Sequence, residues 1–298
     1  MAVARSGFSK HDLGMLVVAL IWGANFSANK FALREMPPVV FAATRFIAAS
    51  VIMITVVRVV RPGRPIPARE AWLLAGLGVI GNTCYQAAFM TGLVTTTAIN
   101  ASLILGALPT VVAVLGTVFG VERSAPRLWW GIVIATAGVA VVIAVKDIHF
   151  TIESLRGDLL ILFACACWAA FTVGVRHVGR GLDPLRVTAL TILGGTPGLV
   201  LLAARDLRVM DWGALSAGGW FALVFSSVFA IVIAYVIWSY AVQGIGGNRT
   251  AIYNCVTPIF AAGTAAIVLG ERLVPAQGLG AALVFAGVFL SQGARSDP

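Results

Sequence analysis

Apolar residues occur along this chain in long runs that are separated by short loops rich in proline, glycine and charge. A helix needs about 20 apolar residues to cross the roughly 30 Å hydrocarbon core of a bilayer. The pattern predicts an all-α polytopic membrane protein with ten transmembrane helices and no separate soluble domain. The predicted spans lie at residues 13–33, 39–60, 71–93, 97–119, 127–145, 158–177, 185–204, 219–242, 249–269 and 275–293.

The distribution of basic residues predicts how the chain is oriented in the membrane. Lysine and arginine accumulate on the cytoplasmic side of membrane proteins. If the N-terminus lies inside, thirteen of them fall on the inner side and seven on the outer side, and Arg45 is left within a span. We therefore expect both termini in the cytoplasm. The first run could mimic a signal peptide, but no clear cleavage site follows it and we interpret it as the first span.

The composition excludes several classes of protein. Of the 298 residues, 59% are hydrophobic and 11% are charged, whereas a soluble domain has about 25% charged residues. This excludes an ordinary soluble globule and a disordered chain. The net charge of +9 forms no basic stripe or tail, so we expect no nucleic-acid partner. All four cysteines lie inside apolar runs, where we expect them to pack as small apolar residues.

The two halves of the chain resemble each other. A shift of 146 residues places Asp12 on Asp158 and Trp22 on Trp168, and a shift of 149 places Pro109 on Pro258. We infer two five-helix repeats, residues 1–149 and 150–298, and because five is odd the repeats must cross the membrane in opposite directions. Inverted repeats are typical of transporters that bind substrate at the midplane, although an inert duplicated scaffold is an alternative. Further matches are Lys30 with Arg176, Pro38 with Pro184, Glu122-Arg123 with Glu271-Arg272, Pro126 with Pro275, Gly131 with Gly280 and Gly138 with Gly287.

Several motifs resemble those of a known family. The segment ALPTVVAVLGTVFGVER at 107–123 is echoed by CVTPIFAAGTAAIVLGER at 255–272, and the first half carries IWGANF at 21–26 and TRF at 44–46. The chain resembles the EamA domain proteins of the drug/metabolite transporter superfamily over nearly its whole length. The resemblance implies a ten-helix carrier of a bacterial inner membrane, most similar to exporters of aromatic and other neutral amino acids. The first copy departs from the pattern at Val121, where the second has a glycine.

Candidate substrate-binding residues are aromatic or uncharged polar residues within the spans. Trp22 and Trp168 lie ten residues beyond Asp12 and Asp158, about 15 Å along a helix, and therefore near the membrane midplane. Asn25 follows on the same face as Trp22, which indicates a cavity lining because lipid disfavours polar groups; helix packing is the alternative. The full candidate set is Trp22, Asn25, Tyr85, Asn100, Trp168, Tyr235, Trp238, Tyr253 and Asn254.

Prolines and charges near the spans each have a structural interpretation beside a functional one. We expect Pro109 and Pro258 to kink their helices in mid-span, either to line a cavity or to allow close packing. Arg45 is expected to snorkel to the outer interface; gating or attraction of a substrate carboxylate are alternatives. Asp12 is interpreted as a helix-start residue, and Glu122 as part of a solvated turn of little energetic value.

Residues that other functions would require are missing from the sequence. All three histidines lie at or beyond span ends and no P-loop is present, so we expect neither an enzyme nor a cofactor or metal. A sugar-phosphate carrier would need several buried basic residues, whereas this chain offers Arg45. The sequence thus favours a monomeric carrier working by alternating access on small neutral or zwitterionic metabolites, first of all aromatic or branched neutral amino acids. Drug-like compounds, purines or phosphorylated sugars, and a channel-like or structural protein, are alternatives.

The acidic residues bear on energy coupling. Every Asp and Glu lies at or beyond the end of a predicted span, and proton-driven carriers usually need a carboxylate within the membrane. We therefore expect transport without obligatory proton exchange, unless Asp12 or Asp158 lies deeper than its position suggests.

Overall fold

The computed structural model describes residues 8–60, 66–95, 101, 104–122, 125–144, 152–269 and 275–292. These residues are almost entirely helical, and no strand occurs among them. The helices are α1 (Lys10–Ala32), α2 (Pro38–Val60), α3 (Ala68–Thr95), α4 (Leu108–Val118), α5 (Pro126–Ala144), α6 (Ile152–Val178), α7 (Pro184–Val209), α8 (Ala217–Ile245), α9 (Gly247–Ala251, a 3-10 turn at Ile252–Val256, then Thr257–Leu269) and α10 (Pro275–Gln292).

Six of these helices are long and apolar enough to cross a membrane: α1, α2, α3, the Leu155–Val178 part of α6, α7 and α8. Shorter apolar helices lie within others of the predicted runs, among them Leu108–Val118. The structure therefore has the all-helical architecture of a multi-pass membrane protein, and the count of ten spans stays a prediction.

Helix starts follow the sequence signals. At α1, the Ser9 hydroxyl accepts the Asp12 N–H while the Asp12 carboxylate accepts the Ser9 N–H, which is a capping box. Asp183 caps α7, where Pro184 occupies the first turn, and Ser216 caps α8. Each cap provides partners for N–H groups that a helix start leaves unpaired.

Two helices contain π-helical segments at equivalent places in the two halves of the chain. The segment Val79–Cys84 interrupts α3, and Ser226–Ile233 interrupts α8. Their first residues are 147 positions apart and their last residues 149 positions apart. Such segments are uncommon and are frequent at functional sites. Tyr85 directly follows the first segment and Tyr235 lies two residues after the second, and both border a cavity inside the helix bundle.

Some residues at equivalent positions of the two repeats are in contact with each other. The Trp22 and Trp168 ring centroids lie 5.9 Å apart. Ser50 Oγ and Thr196 Oγ1, also separated by 146 residues, share a hydrogen bond of 2.8 Å. An equivalent pair can touch only close to a twofold axis, so these contacts are what two repeats packed about such an axis would produce. The boundary between 149 and 150 lies outside the described residues and stays a prediction.

The close approach of α5 and α10 shows the same symmetry. A Cβ on Gly138 would lie 2.7 Å from the Gly280 carbonyl oxygen, and a Cβ on Gly287 would lie 2.5 Å from the Gly131 carbonyl oxygen. These are the glycines that the 149-residue shift pairs. Any side chain at Gly138 or Gly287 would therefore force the two helices apart.

Glycines elsewhere divide between packing and turn formation. Gly194 allows close helix approach, because a Cβ placed on it would lie 2.4 Å from the Ala75 carbonyl oxygen on α3. Gly120 instead serves the turn after α4. It has φ of 65°, and a Cβ placed on it would have no neighbour within 4 Å among the described residues.

Candidate functional site

A central cavity of ≈ 80 Å³ lies among α1, α2, α3, α4, α6, α8 and α9. Because one buried water needs about 10–15 Å³ of such a cavity, the space accommodates roughly six waters or a small metabolite. Most of the residues predicted to bind substrate line it. They are Trp22, Asn25, Tyr85, Trp168, Tyr235 and Asn254, together with Pro258.

One wall of the cavity is aromatic. Trp168 is its centre, with its ring centroid 5.1 Å from those of both Tyr85 and Tyr235. Trp22 contacts Trp168 edge-on, and its indole N–H donates to the Ala230 carbonyl at 3.0 Å, within the π-helical segment of α8. Because that bond satisfies the indole N–H, the wall offers ring surfaces that suit apolar, aromatic or cationic groups.

A second wall of the cavity is polar and carries one charge. Arg45 donates to the Gln86 side-chain oxygen at 2.9 Å and to the Asn29 side-chain oxygen at 3.4 Å. Gln86 in turn donates from its amide nitrogen to the Tyr235 hydroxyl at 3.2 Å. The Ser226 hydroxyl on α8 contacts the side-chain oxygens of both Asn25 and, at 3.4 Å, Asn29. The polar groups are thus linked in one network that connects both halves of the chain.

The expectation that Arg45 snorkels to the interface is wrong. The side chain is 1% exposed, and its guanidinium carbon lies 4.4 Å from the centroid of the Phe41 ring. It points into the protein because Asn29 and Gln86 offer hydrogen-bond acceptors there. Snorkelling was the simplest interpretation of a charge a few residues from a span end, and the sequence carried no signal of these two partners.

Three of the other candidates are described by the structure but do not line the cavity. Trp238 is 1% exposed and supports the aromatic wall from behind, with its ring centroid 5.3 Å from that of Trp22. Tyr253 is also buried and donates its hydroxyl hydrogen to Asp12 at 2.7 Å, away from the cavity. Asn100 lies outside the described residues. Pro109 does not line the cavity.

Each proline lies at an interruption of a helical segment, and the interruption at Pro258 falls in the middle of α9, where a mid-span break was expected. Pro109 lies in the first turn of α4, and Pro258 is the second residue of the α-helical part of α9, directly after the 3-10 turn. A proline is well tolerated in a first turn because that N–H has no intrahelical partner. Each proline therefore marks a place where a helix restarts.

The cavity is closed toward the N-terminal end of α1. Cavity-lining residues of α1 begin at Trp22, whereas Asp12, about 15 Å earlier, is 0% exposed. Its carboxylate accepts hydrogen bonds from Arg249 and Tyr253 of α9, both at 2.7 Å. Asp12 is the helix-start residue that we expected, but it also joins the two halves through a buried ion pair.

A second buried contact closes the same end of the molecule. The Glu122 carboxylate accepts the backbone N–H groups of Gly247 at 2.7 Å and Asn248 at 3.1 Å, where α9 begins. The Nε of Arg176 lies 3.1 Å from Glu122, and Arg176 donates to the Gln243 carbonyl at 2.6 Å near the end of α8. The carboxylate thus meets a helix start and the guanidinium a helix end, which is the arrangement that helix dipoles favour.

Sequence reasoning therefore misjudged Glu122. We expected a solvated turn, yet the residue is 5% exposed and binds the other half of the chain. A turn sequence does not reveal which distant backbone it will meet. The sequence showed only that both repeats carry a basic residue at this equivalent position, Lys30 in the first and Arg176 in the second.

No group of three or more His, Cys, Asp or Glu that could hold a metal ion occurs in the described ranges. The four cysteines are free; three are buried and Cys84 is partly exposed. The groups that the cavity offers to a ligand are ring surfaces, amide and hydroxyl groups and one guanidinium.

A bundle of membrane-spanning apolar helices around a closed-ended polar and aromatic cavity defines a multi-pass membrane transporter. The chain matches the model of the EamA-like transporter family twice, at residues 9–144 and 155–292. It therefore belongs to the EamA-like transporter family, within the drug/metabolite transporter superfamily.

Similar proteins carry transporter names. The chain is 28% identical over 288 residues to "Uncharacterized transporter YyaM" of Bacillus subtilis, covering 95% of this chain and 94% of that protein. It is 27% identical to a "Probable amino-acid metabolite efflux pump" of Salmonella typhimurium, covering 93% and 92%. A solved crystal structure shares the fold with a TM-score of 0.78 at 16% identity, covering 94% of this chain and 96% of that one.

Proposed function

We propose that this protein is a carrier that exports small neutral or zwitterionic metabolites, with aromatic and branched neutral amino acids as the first candidates. The observation that carries the proposal is the central cavity, which combines a Trp and Tyr wall with an amide and guanidinium wall. The aromatic wall suits an apolar side chain, and the polar wall suits the hydrogen-bonding part of an amino acid. The name of the Salmonella relative supports the same substrate class.

Alternating access is the mechanism that we propose. The cavity is closed toward the start of α1 by the contacts of Asp12 and Glu122. The contact between the equivalent residues Trp22 and Trp168 lies in the cavity wall, as a pseudo-twofold axis near the cavity would require. In an inverted repeat the two halves can exchange conformations, so the opposite end would close as this one opens. We further propose that the protein lies in a bacterial inner membrane with both termini in the cytoplasm.

Transport would not require proton exchange. Asp12 is more deeply buried than its place in the sequence suggested, but it is paired with Arg249. Among the residues that line the cavity in the described part of the chain, none is Asp or Glu. These lining residues therefore provide no carboxylate that could take up and release a proton beside the substrate.

Uptake of a panel of labelled amino acids into proteoliposomes tests the proposal. We expect saturable uptake of phenylalanine, tryptophan, leucine or valine, reduced by unlabelled substrate and absent from protein-free liposomes. Saturation and competition distinguish a carrier from a channel. Uptake of none of the panel, with a purine or a lipophilic drug transported instead, would contradict the amino-acid assignment.

A further inference from the structure

We infer that Arg45 is the receptor for a carboxylate, so that the substrate must carry a free carboxylate group. This inference rests on the proposed function, because it concerns the same cavity, and it narrows the substrate class. It follows from three features of the guanidinium: its burial without a counter-charge, its unused donors and its asymmetry between the repeats.

Arg45 is a buried cation without a carboxylate partner in the described structure. It is 1% exposed, and its hydrogen-bond acceptors are the neutral side chains of Asn29 and Gln86. An uncompensated charge inside a membrane protein is costly and is kept for function. A ligand carboxylate would provide the missing opposite charge.

The guanidinium also has donors to spare. It carries five N–H groups, of which the structure gives two an acceptor, and its Nε is fully buried with no hydrogen-bond partner among the described residues. A carboxylate commonly takes two parallel N–H donors from an arginine. Asn29, Gln86 and the Phe41 ring fix the plane of the guanidinium, so it is preorganised for such a ligand.

A neighbouring hydroxyl is oriented to assist. Gln86 uses its oxygen to accept from Arg45, so its amide group faces and donates to the Tyr235 oxygen. The Tyr235 hydroxyl therefore keeps its own hydrogen for another acceptor. Arg45 and Tyr235 both line the cavity, and a carboxylate between them would receive hydrogen bonds from both.

The repeat shows that the fold does not need a cation at this position. The shift of 146 residues places Arg45 on Thr191 of α7, which is also buried, at 1% exposure. The second repeat thus builds the equivalent helix with a small neutral residue. The charge is a one-sided feature of the cavity, and it would orient a zwitterion with its carboxylate toward Arg45 and the rest toward the aromatic wall.

The test compares acids with their amides on purified protein, by the ligand-dependent shift of the unfolding transition and by calorimetric titration. The probes are phenylalanine with phenylalaninamide, leucine with leucinamide, and 3-phenylpropionate with 3-phenylpropionamide. We expect each carboxylate to bind at least about tenfold more tightly than its amide, as for hydrogen bonds to a charged group. The comparison needs only the unmodified protein, so it does not depend on whether a variant folds.

Variants then assign the preference to one residue. Arg45→Gln should remove the preference for the acid, and Arg45→Lys should restore part of it by keeping the charge without the fork. Arg58→Gln is the matched control, since Arg58 is exposed near the end of the same helix. It removes the same charge outside the cavity and should leave the preference unchanged.

Equal binding of acid and amide, or no binding of any of the three carboxylates, would overturn the inference. A preference that survives Arg45→Gln would also overturn it. Amino-acid transport in proteoliposomes without a carboxylate preference would refute the inference and leave the proposed function standing. A carboxylate preference without any transport would refute the proposed function alone.

Discussion

The closed end of the cavity depends on a contact that a single atom exchange removes. In Glu122→Gln the side chain keeps its shape, but one carboxylate oxygen becomes an NH₂ group. The two oxygens now accept from Gly247 and Asn248 at 2.7 and 3.1 Å, and Arg176 lies 3.1 Å away. In the variant one of these donors would face another donor. The contact between Glu122 and the start of α9, which joins the two halves of the chain, would therefore be weakened.

The size of the effect follows from these contacts. A hydrogen bond to a charged group contributes about 1.5–3 kcal/mol, and unpairing a buried ion pair costs about 3–5 kcal/mol. Arg176 is 16% exposed and keeps its bond to the Gln243 carbonyl, which argues for the lower end, about 3 kcal/mol. If the contact exists only while this end is closed, the equilibrium shifts toward opening by about a hundredfold.

The assay measures access to the cavity from the side of the α1 N-terminus. Ala230, which lines the cavity, is replaced by cysteine in a variant whose four native cysteines have been removed. A membrane-impermeant maleimide applied from that side should label it far faster after Glu122→Gln. The control is Glu35→Gln, because Glu35 accepts from the Ser216 N–H and hydroxyl at 3.0 and 2.7 Å beyond the other end of α1. An unchanged labelling rate in folded Glu122→Gln protein would refute the reasoning.

Three further predictions follow from the same geometry. Asp12→Asn and Arg249→Gln should destabilise less together than the sum of the single changes, with a coupling of about 1–3 kcal/mol in a thermal-unfolding cycle; full additivity would contradict the buried pair. Trp22→Ala and Trp168→Ala should lower transport per folded molecule at least about tenfold, whereas Trp72→Ala should not, because Trp72 is 80% exposed. Normal transport by both cavity variants would contradict the proposed binding site. An imposed pH gradient with equal substrate on both sides should produce no sustained accumulation; accumulation that an uncoupler abolishes would show proton coupling.

Much of the architecture could be predicted because its signals are periodic or repeated. Long apolar runs define membrane-spanning helices by length alone. The matches of Trp22 with Trp168 and of Gly138 with Gly287 indicated two related halves, and these equivalent positions lie in or beside contacts between the halves. The depth argument for the two tryptophans likewise placed them in the cavity wall.

What the sequence could not reveal are partners brought together from distant segments. The sequence around Arg45 does not predict that its side chain contacts Gln86, which is 41 residues away. Asp12 and Tyr253 are 241 positions apart. An aromatic hydroxyl within a span suits a cavity wall and a buried contact equally, so the sequence alone does not separate Tyr253 from the cavity residues.

Counterflow in proteoliposomes tests the central claim most directly, since it reports a single binding site that opens to one side at a time. Vesicles preloaded with an unlabelled amino acid that the panel has shown to be taken up are diluted into a trace of the same compound in labelled form. Alternating access predicts a transient accumulation of label above its external concentration, which Trp168→Ala abolishes at equal protein abundance. Label that only equilibrates, at a rate that preloading does not change, would contradict a carrier with one central site.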